Sequence, residues 1–128
     1  MADPYHHAVS SANKWGGEAE DYLAIHAWFD ETKAHYADPR HRALRHHSEG
    51  IALMMSIFGP TLTLASTGTK IPTRWVGEQH VLEDFGWIPT VKDFLACMTV
   101  ENWMVKGARR LSSELSKADA EATAKEDS

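Results

Sequence analysis

In two places in this sequence a histidine is followed, at the helical spacing of four, by an aspartate. His26 and Asp30 are four residues apart, and so are His80 and Asp84. Residues at i and i+4 share one face of a helix, so each pair offers two lone-pair donors to one point, which is what a metal ion requires. His41 and Arg45 have the same spacing, but a guanidinium cannot ligate. The neighbours His46 and His47 point in different directions on a helix and do not chelate one ion as a helical pair. The expected ligands are His26, Asp30, His47 (His46 being its alternative) and His80, with Asp84 a ligand or the partner of one. Such mixed donors suit divalent Zn, Fe, Mn or Ni, and donor type alone does not choose among them. The opposing reading is that a His–Asp pair at this spacing only orients a ring, and that a His on an apolar stripe is a satisfied core residue. The chain has no HExxH, no CxxC and no zinc-finger spacing.

A second constellation is basic. Lys33, Arg40, Arg42 and Arg45 stand against Asp38 alone in the stretch from Lys33 to His47, which also holds four of the eight His. A helix opening at Pro39 presents free N–H groups to an anion, and Arg forks hold phosphate or carboxylate. In an enzyme, the metal would acidify a bound water and these four cations would hold a phosphoester or similar anion. Asp84 or His46 would move the proton. The expectation is a small metal-binding protein and, if an enzyme, a metal-dependent hydrolase. The competing reading pairs the cations with Asp30, Glu31, Asp38 and Glu49 in a solvated network. Ser48 and Ser10-Ser11 lack the glycine elbow of a serine nucleophile. Phosphate-loop and dinucleotide fingerprints are missing. Cys97 reads as an inert core thiol.

Elements must position these groups. Asp3-Pro4 is an N-cap followed by a first-turn proline, opening a helix that ends near Trp15, before Gly16-Gly17. A second helix is expected from about Ala19 to Tyr36. Asp38-Pro39 opens a long one to Phe58, stopped by Gly59-Pro60. On it Leu44, His47, Ile51, Met54, Met55 and Phe58 make one stripe, so His47 faces the core and His46 lies about a hundred degrees round. Thr61 to Val76 reads as a hairpin, with Pro72 placing the second strand at an edge. Gly77 to Phe85 is a short helix. Thr90 with Asp93 opens another through about Met98, and Thr99 caps a last one reaching Leu111. The fold class is mainly α: a compact bundle of five or six helices with one short β-hairpin around residues 61–76. Residues 1–115 are expected as one helical domain, and 116–128 as a charged, frayed tail.

Composition narrows the function classes. A length of 128 residues suits one domain. Apolar residues at 43% and charged residues at 24% exclude a disordered chain. A net charge of -5 gives no field that recruits nucleic acid or anionic membrane. The apolar cluster from Ile51 to Phe58 is far short of a membrane span. One Cys and no signal-peptide pattern point to a cytoplasmic protein, bacterial or viral. The expected partner is a small anionic ligand or a protein. Five Trp and five Met in so small a domain also favour an exposed apolar patch, and with it a homodimer.

Three runs carry a resemblance. They are His26-Ala-Trp-Phe-Asp-Glu-Thr-Lys33, then Asp38-Pro-Arg-His-Arg-Ala-Leu-Arg-His-His47-Ser-Glu-Gly50-Ile, then Gly77-Glu-Gln-His-Val-Leu-Glu-Asp84-Phe-Gly with Ile88-Pro-Thr. Together they resemble an uncharacterised family of small His-rich proteins often carried by phages and prophages. The resemblance covers residues 4 to 96. It implies a genomic setting and no reaction, and it transfers no catalytic residue. It frames the rival from another class: a phage-type accessory protein that binds a host or viral protein through Trp and Met side chains, its histidines structural. In a third reading the His cluster binds an anion without a metal.

Overall fold

The computed structural model describes residues 3–105. The chain divides after Ala96, and the elements below belong to the part before that point. Helix α1, Pro4–Trp15, starts where its signal lies: the Asp3 carboxylate accepts from the His6 N–H at 3.0 Å. It ends at Gly16, whose φ of +87° suits only glycine without strain. The expected helix from Ala19 to Tyr36 is three pieces instead. A 3₁₀ turn spans Ala19–Asp21, helix α2 spans Leu23–Asp30, and a second 3₁₀ turn spans Glu31–Ala34. Asp21 accounts for the first break, because its carboxylate accepts from the Glu18 N–H in a capping box and from Ser66.

The long helix from Pro39 to Phe58 is likewise corrected. Asp38 caps the Arg40 N–H at 2.8 Å as its signal requires, but the chain winds as a 3₁₀ turn over Pro39–Leu44 and stops. Helix α3 then starts afresh over Ser48–Phe58. His47 is its extended N-cap, with Nδ1 accepting from the Gly50 N–H at 2.9 Å. Gly50 permits the break. A Cβ there would overlap the Arg45 carbonyl, so only glycine lets the two segments meet so closely.

Strands β1 (Thr61–Thr63) and β2 (Lys70–Pro72) pair antiparallel, Leu62 opposite Ile71. The second strand was expected to reach Val76. It stops at Pro72, and α4 runs from Thr73 to Phe85, four residues longer at its start than Gly77 suggested. The β-prone Trp75-Val76 is helical because Val76 is needed in the core, and tertiary packing overrides propensity. Gly77 lies where α4 crosses its neighbours: a Cβ would come within 2.7 Å of Met54 Cε and 3.3 Å of Phe29 Cζ. Thr90 and Asp93 form the capping box of α5, Val91–Leu95.

The result is mainly helical with one short hairpin. Tyr22, Ile25 and Phe29 of α2, Ile51 and Met54 of α3, and Val76 and Val81 of α4 share the apolar core. Beside it six of the eight histidines are buried: His7, His26, His41, His46, His47 and His80. Cys97, expected in a core, is exposed. Residues 102–105 are helical; the rest of the last expected helix and the tail over 116–128 lie outside the described residues. Among the described residues no helix is long and apolar enough to cross a membrane.

Candidate metal centre

Three segments deliver side chains to one buried point. Helix α2 contributes Asp30 at its last turn, α4 contributes His80 and Asp84 one turn apart, and the turn before α3 contributes His46. The Nε2 atoms of His46 and His80 are 3.2 Å apart. Asp30 Oδ1 lies 3.4 Å from each of them. Asp84 Oδ2 lies 3.1 Å from His46 Nε2 and 3.4 Å from His80 Nε2. Metal bonds of ~2.0–2.1 Å in tetrahedral geometry require donor atoms roughly 3.3 Å apart. All five separations match that edge.

The donors are out of water, the side chains of both His being 0% exposed, Asp30 4% and Asp84 3%. Both oxygens of Asp30 and Oδ2 of Asp84 are buried without a hydrogen-bond partner. Uncompensated buried carboxylate oxygens are costly, and a cation between them removes the cost. The outer faces of the carboxylates are held from behind. Asp84 Oδ1 faces Arg42 Nη2 at 3.5 Å and His7 Nε2 at 3.3 Å. Asp30 Oδ2 lies 4.0 Å from Lys33 Nζ.

Protonation states suit ligation. Burial works against ionisation of Asp30, but His46, His80 and Lys33 beside it outweigh burial and hold it well below the usual carboxylate range. Burial likewise opposes Asp84, and His46, His7, His80 and Arg42 outweigh it. Burial, helped by the neighbouring His7 and His46, pushes His80 down to about 4 despite Asp30, so its ring is neutral at pH 7. Burial and the other rings push His26 to about 2. His7 goes the other way: burial lowers it, but Asp84 and Glu83 more than compensate.

These directions set an acid limit on the metal-free chain. A His whose folded pKa is lowered contributes stability that is full above its unfolded value of 6.5 and is lost as pH falls below it. The raised His7 contributes oppositely, its share being full below 6.5 and lost as pH rises through its folded value. With three rings lowered (His26, His80 and, by burial, His41) against one raised, the urea midpoint of the chelated protein should fall steadily from pH 7.5 to pH 5. A midpoint that rises over that range contradicts this balance.

Other residues singled out from the sequence sit elsewhere. His47 uses both ring nitrogens locally, Nδ1 accepting from Gly50 to cap α3 and Nε2 donating to the Ala43 carbonyl of the preceding 3₁₀ turn at 3.0 Å. The broken helix is why His46, and not His47, reaches the donor point. His26 stands behind His80, their Nδ1 atoms 2.9 Å apart, in a second group with His7 that shares His80 with the first. His7 was missed. Its signal was the Asp3-Pro4 helix start, which places His7 and Ser11 one turn apart on one face.

All four cations expected to hold an anion face carboxylates: Lys33 faces Asp30, Arg40 Asp38, Arg42 Asp84 and Arg45 Glu31. They are not equivalent. The Arg42 side chain is 12% exposed and that of Arg40 74%. Arg42→Gln should therefore cost about 1–3 kcal/mol, because it removes the ion-pair partner of a buried carboxylate. Arg40→Gln should leave the urea midpoint in place. Equal midpoints for the two variants would mean that Arg42 does not hold Asp84.

No curated protein and no solved structure matches the chain. A family model does, over residues 2–104, which spans all the elements that carry the site. The chain belongs to the family described as Domain of unknown function (DUF6915).

Proposed function

We propose that the chain is a metal-binding protein in which Asp30, His46, His80 and Asp84 hold one divalent ion, zinc by preference. The observation that carries this is the set of five donor separations that involve a His nitrogen, all 3.1–3.4 Å. The tetrahedral edge of roughly 3.3 Å lies inside that range, so the tetrahedral preference of zinc fits it. Two carboxylates and two neutral rings also cancel a divalent charge, which suits a dry site. Four protein ligands make a closed centre, whose work is to fasten α2, α4 and the turn before α3 together.

Hydrolysis of a phosphoester is the finer reading, and it needs one carboxylate to yield its place to water. The protein-binding reading, of phage type, draws on Leu53 and Ile57, one turn apart on α3 and 49% and 55% exposed. It is compatible with a structural ion. Elemental analysis of the untagged chain tests the proposal, together with the visible spectrum after cobalt substitution. One zinc per chain and the intense absorption of four-coordinate cobalt are expected. No bound metal, or the weak spectrum of six-coordinate cobalt, overturns it. Chelator-sensitive turnover of a nitrophenyl phosphate would favour the open, hydrolytic form.

A further inference from the structure

His26 is not among the four donors, yet it completes a chain of hydrogen bonds leading away from them. The chain can be solved from its outer end. Gln79 Nε2 lies 3.0 Å from the His7 carbonyl and 3.0 Å from Glu83 Oε1. Both are acceptors, so the amide nitrogen must face them and Gln79 Oε1 must face Ser11, whose Oγ is 2.6 Å away. Ser11 therefore donates to Gln79. A hydroxyl has one proton, so Ser11 Oγ accepts from His26 Nε2 at 2.7 Å. With its proton on Nε2, the neutral His26 ring has a lone pair on Nδ1, which accepts from His80 Nδ1 at 2.9 Å. His80 then carries its proton on Nδ1 and a lone pair on Nε2.

We infer that this relay through His26, Ser11 and Gln79 fixes the tautomer of His80 and presents its Nε2 lone pair to a cation, making His26 a positioning residue and not a ligand. The inference rests on the metal centre proposed above and deepens it. A free His80 would put a proton on Nε2 and donate it to Asp30 or Asp84. The relay forbids that and leaves a lone pair 3.4 Å from each carboxylate. Three electron-rich atoms on one point repel unless a metal ion, or a proton on the neighbouring His46 Nε2, sits among them. Metal-bound His rings are commonly oriented through their second nitrogen, and here the orienting group is another imidazole. The relay ends at Glu83, whose side chain is 31% exposed and is also held by Ser10 and by His7 Nδ1.

Two measurements on the full chain test this. Long-range ¹H–¹⁵N NMR of the imidazoles reads the tautomers directly, with zinc bound and after chelation. His80 protonated at Nδ1 and His26 at Nε2 are expected in both states. A chelated protein with His80 protonated at Nε2 overturns the relay, even if every His26 variant fails to fold. Chelator competition then reads zinc affinity. His26→Leu removes the acceptor and should weaken binding about 10–100-fold. His26→Asn places Oδ1 where Nδ1 accepts and should restore binding to within a few-fold of wild type. Wild-type affinity in His26→Leu overturns the inference. So do two zinc ions per wild-type chain with one lost in both variants, since His26 would then be a ligand of a second ion. A wild type that takes up no zinc overturns the metal centre itself, and the NMR tautomers still report on the relay separately.

Discussion

Stripping the metal from the loaded chain with a chelator is expected to lower its melting temperature by roughly 10–20 °C. An ion bound only by the native state stabilises it by mass action, about 2.7 kcal/mol at a hundred times the dissociation constant. In a domain of this size each kcal/mol moves the midpoint by roughly 4–8 °C. The donors explain why binding and folding are coupled. Asp30, His46 and Asp84 come from segments far apart in the chain, and their inward oxygens lack other hydrogen-bond partners. Without the ion, two ionised carboxylates converge in a buried site with Lys33, Arg42 and His7 behind them. Zinc added back should restore the melt, and a melt unmoved by chelator would refute the structural role of the ion. Asp84→Asn should mimic chelation in the presence of zinc, because it removes a ligand charge while keeping shape.

His46→Ala is expected to cost about 3–5 kcal/mol in the zinc-loaded protein and to abolish high-affinity binding, because it breaks a buried charged cluster. His47→Ala should cost only about 0.5–2 kcal/mol, the usual loss for an N-cap, and should keep the metal. The two residues are adjacent and both buried, at 0% and 4% exposure, so burial does not separate them. Their partners do. His46 Nε2 faces Asp30, Asp84 and His80, whereas His47 faces the backbone of Gly50 and Ala43. This order reverses the one a continuous helix from Pro39 to Phe58 implies. Paired calorimetric melts, with metal content measured on the same samples, decide it. Loss of zinc in His47→Ala with retention in His46→Ala would return the ligand role to His47.

Much of the architecture was legible because its signals are local. Asp3-Pro4, Asp38-Pro39 and Thr90 with Asp93 each open a helical turn where the sequence places one, since a cap is decided by side chains within three residues of it. The His80–Asp84 pair shares a face of α4, and helical geometry alone guarantees that. The predominance of helix and the position of the hairpin followed from the change of period at Thr61.

What only the tertiary structure decided is which of these local pieces meet. The helix breaks between Leu44 and Ser48 because Gly50 admits the Arg45 backbone, a contact no periodicity encodes. That break rotates His46 inward and leaves His47 as a cap. His26 shares its helix face with Asp30, yet packing α1 against α2 and α4 turns it toward Ser11 and His80 and leaves Asp30 to face the donors. The cations chose carboxylates by proximity in three dimensions, not by neighbourhood in the chain: Arg42 meets Asp84, and Arg45 meets Glu31. Residue types and spacings determine which atoms are able to bind an ion. Convergence on a common point a few ångströms across depends on long-range packing of apolar faces, and these are non-directional and carry no marker for the partner they will find.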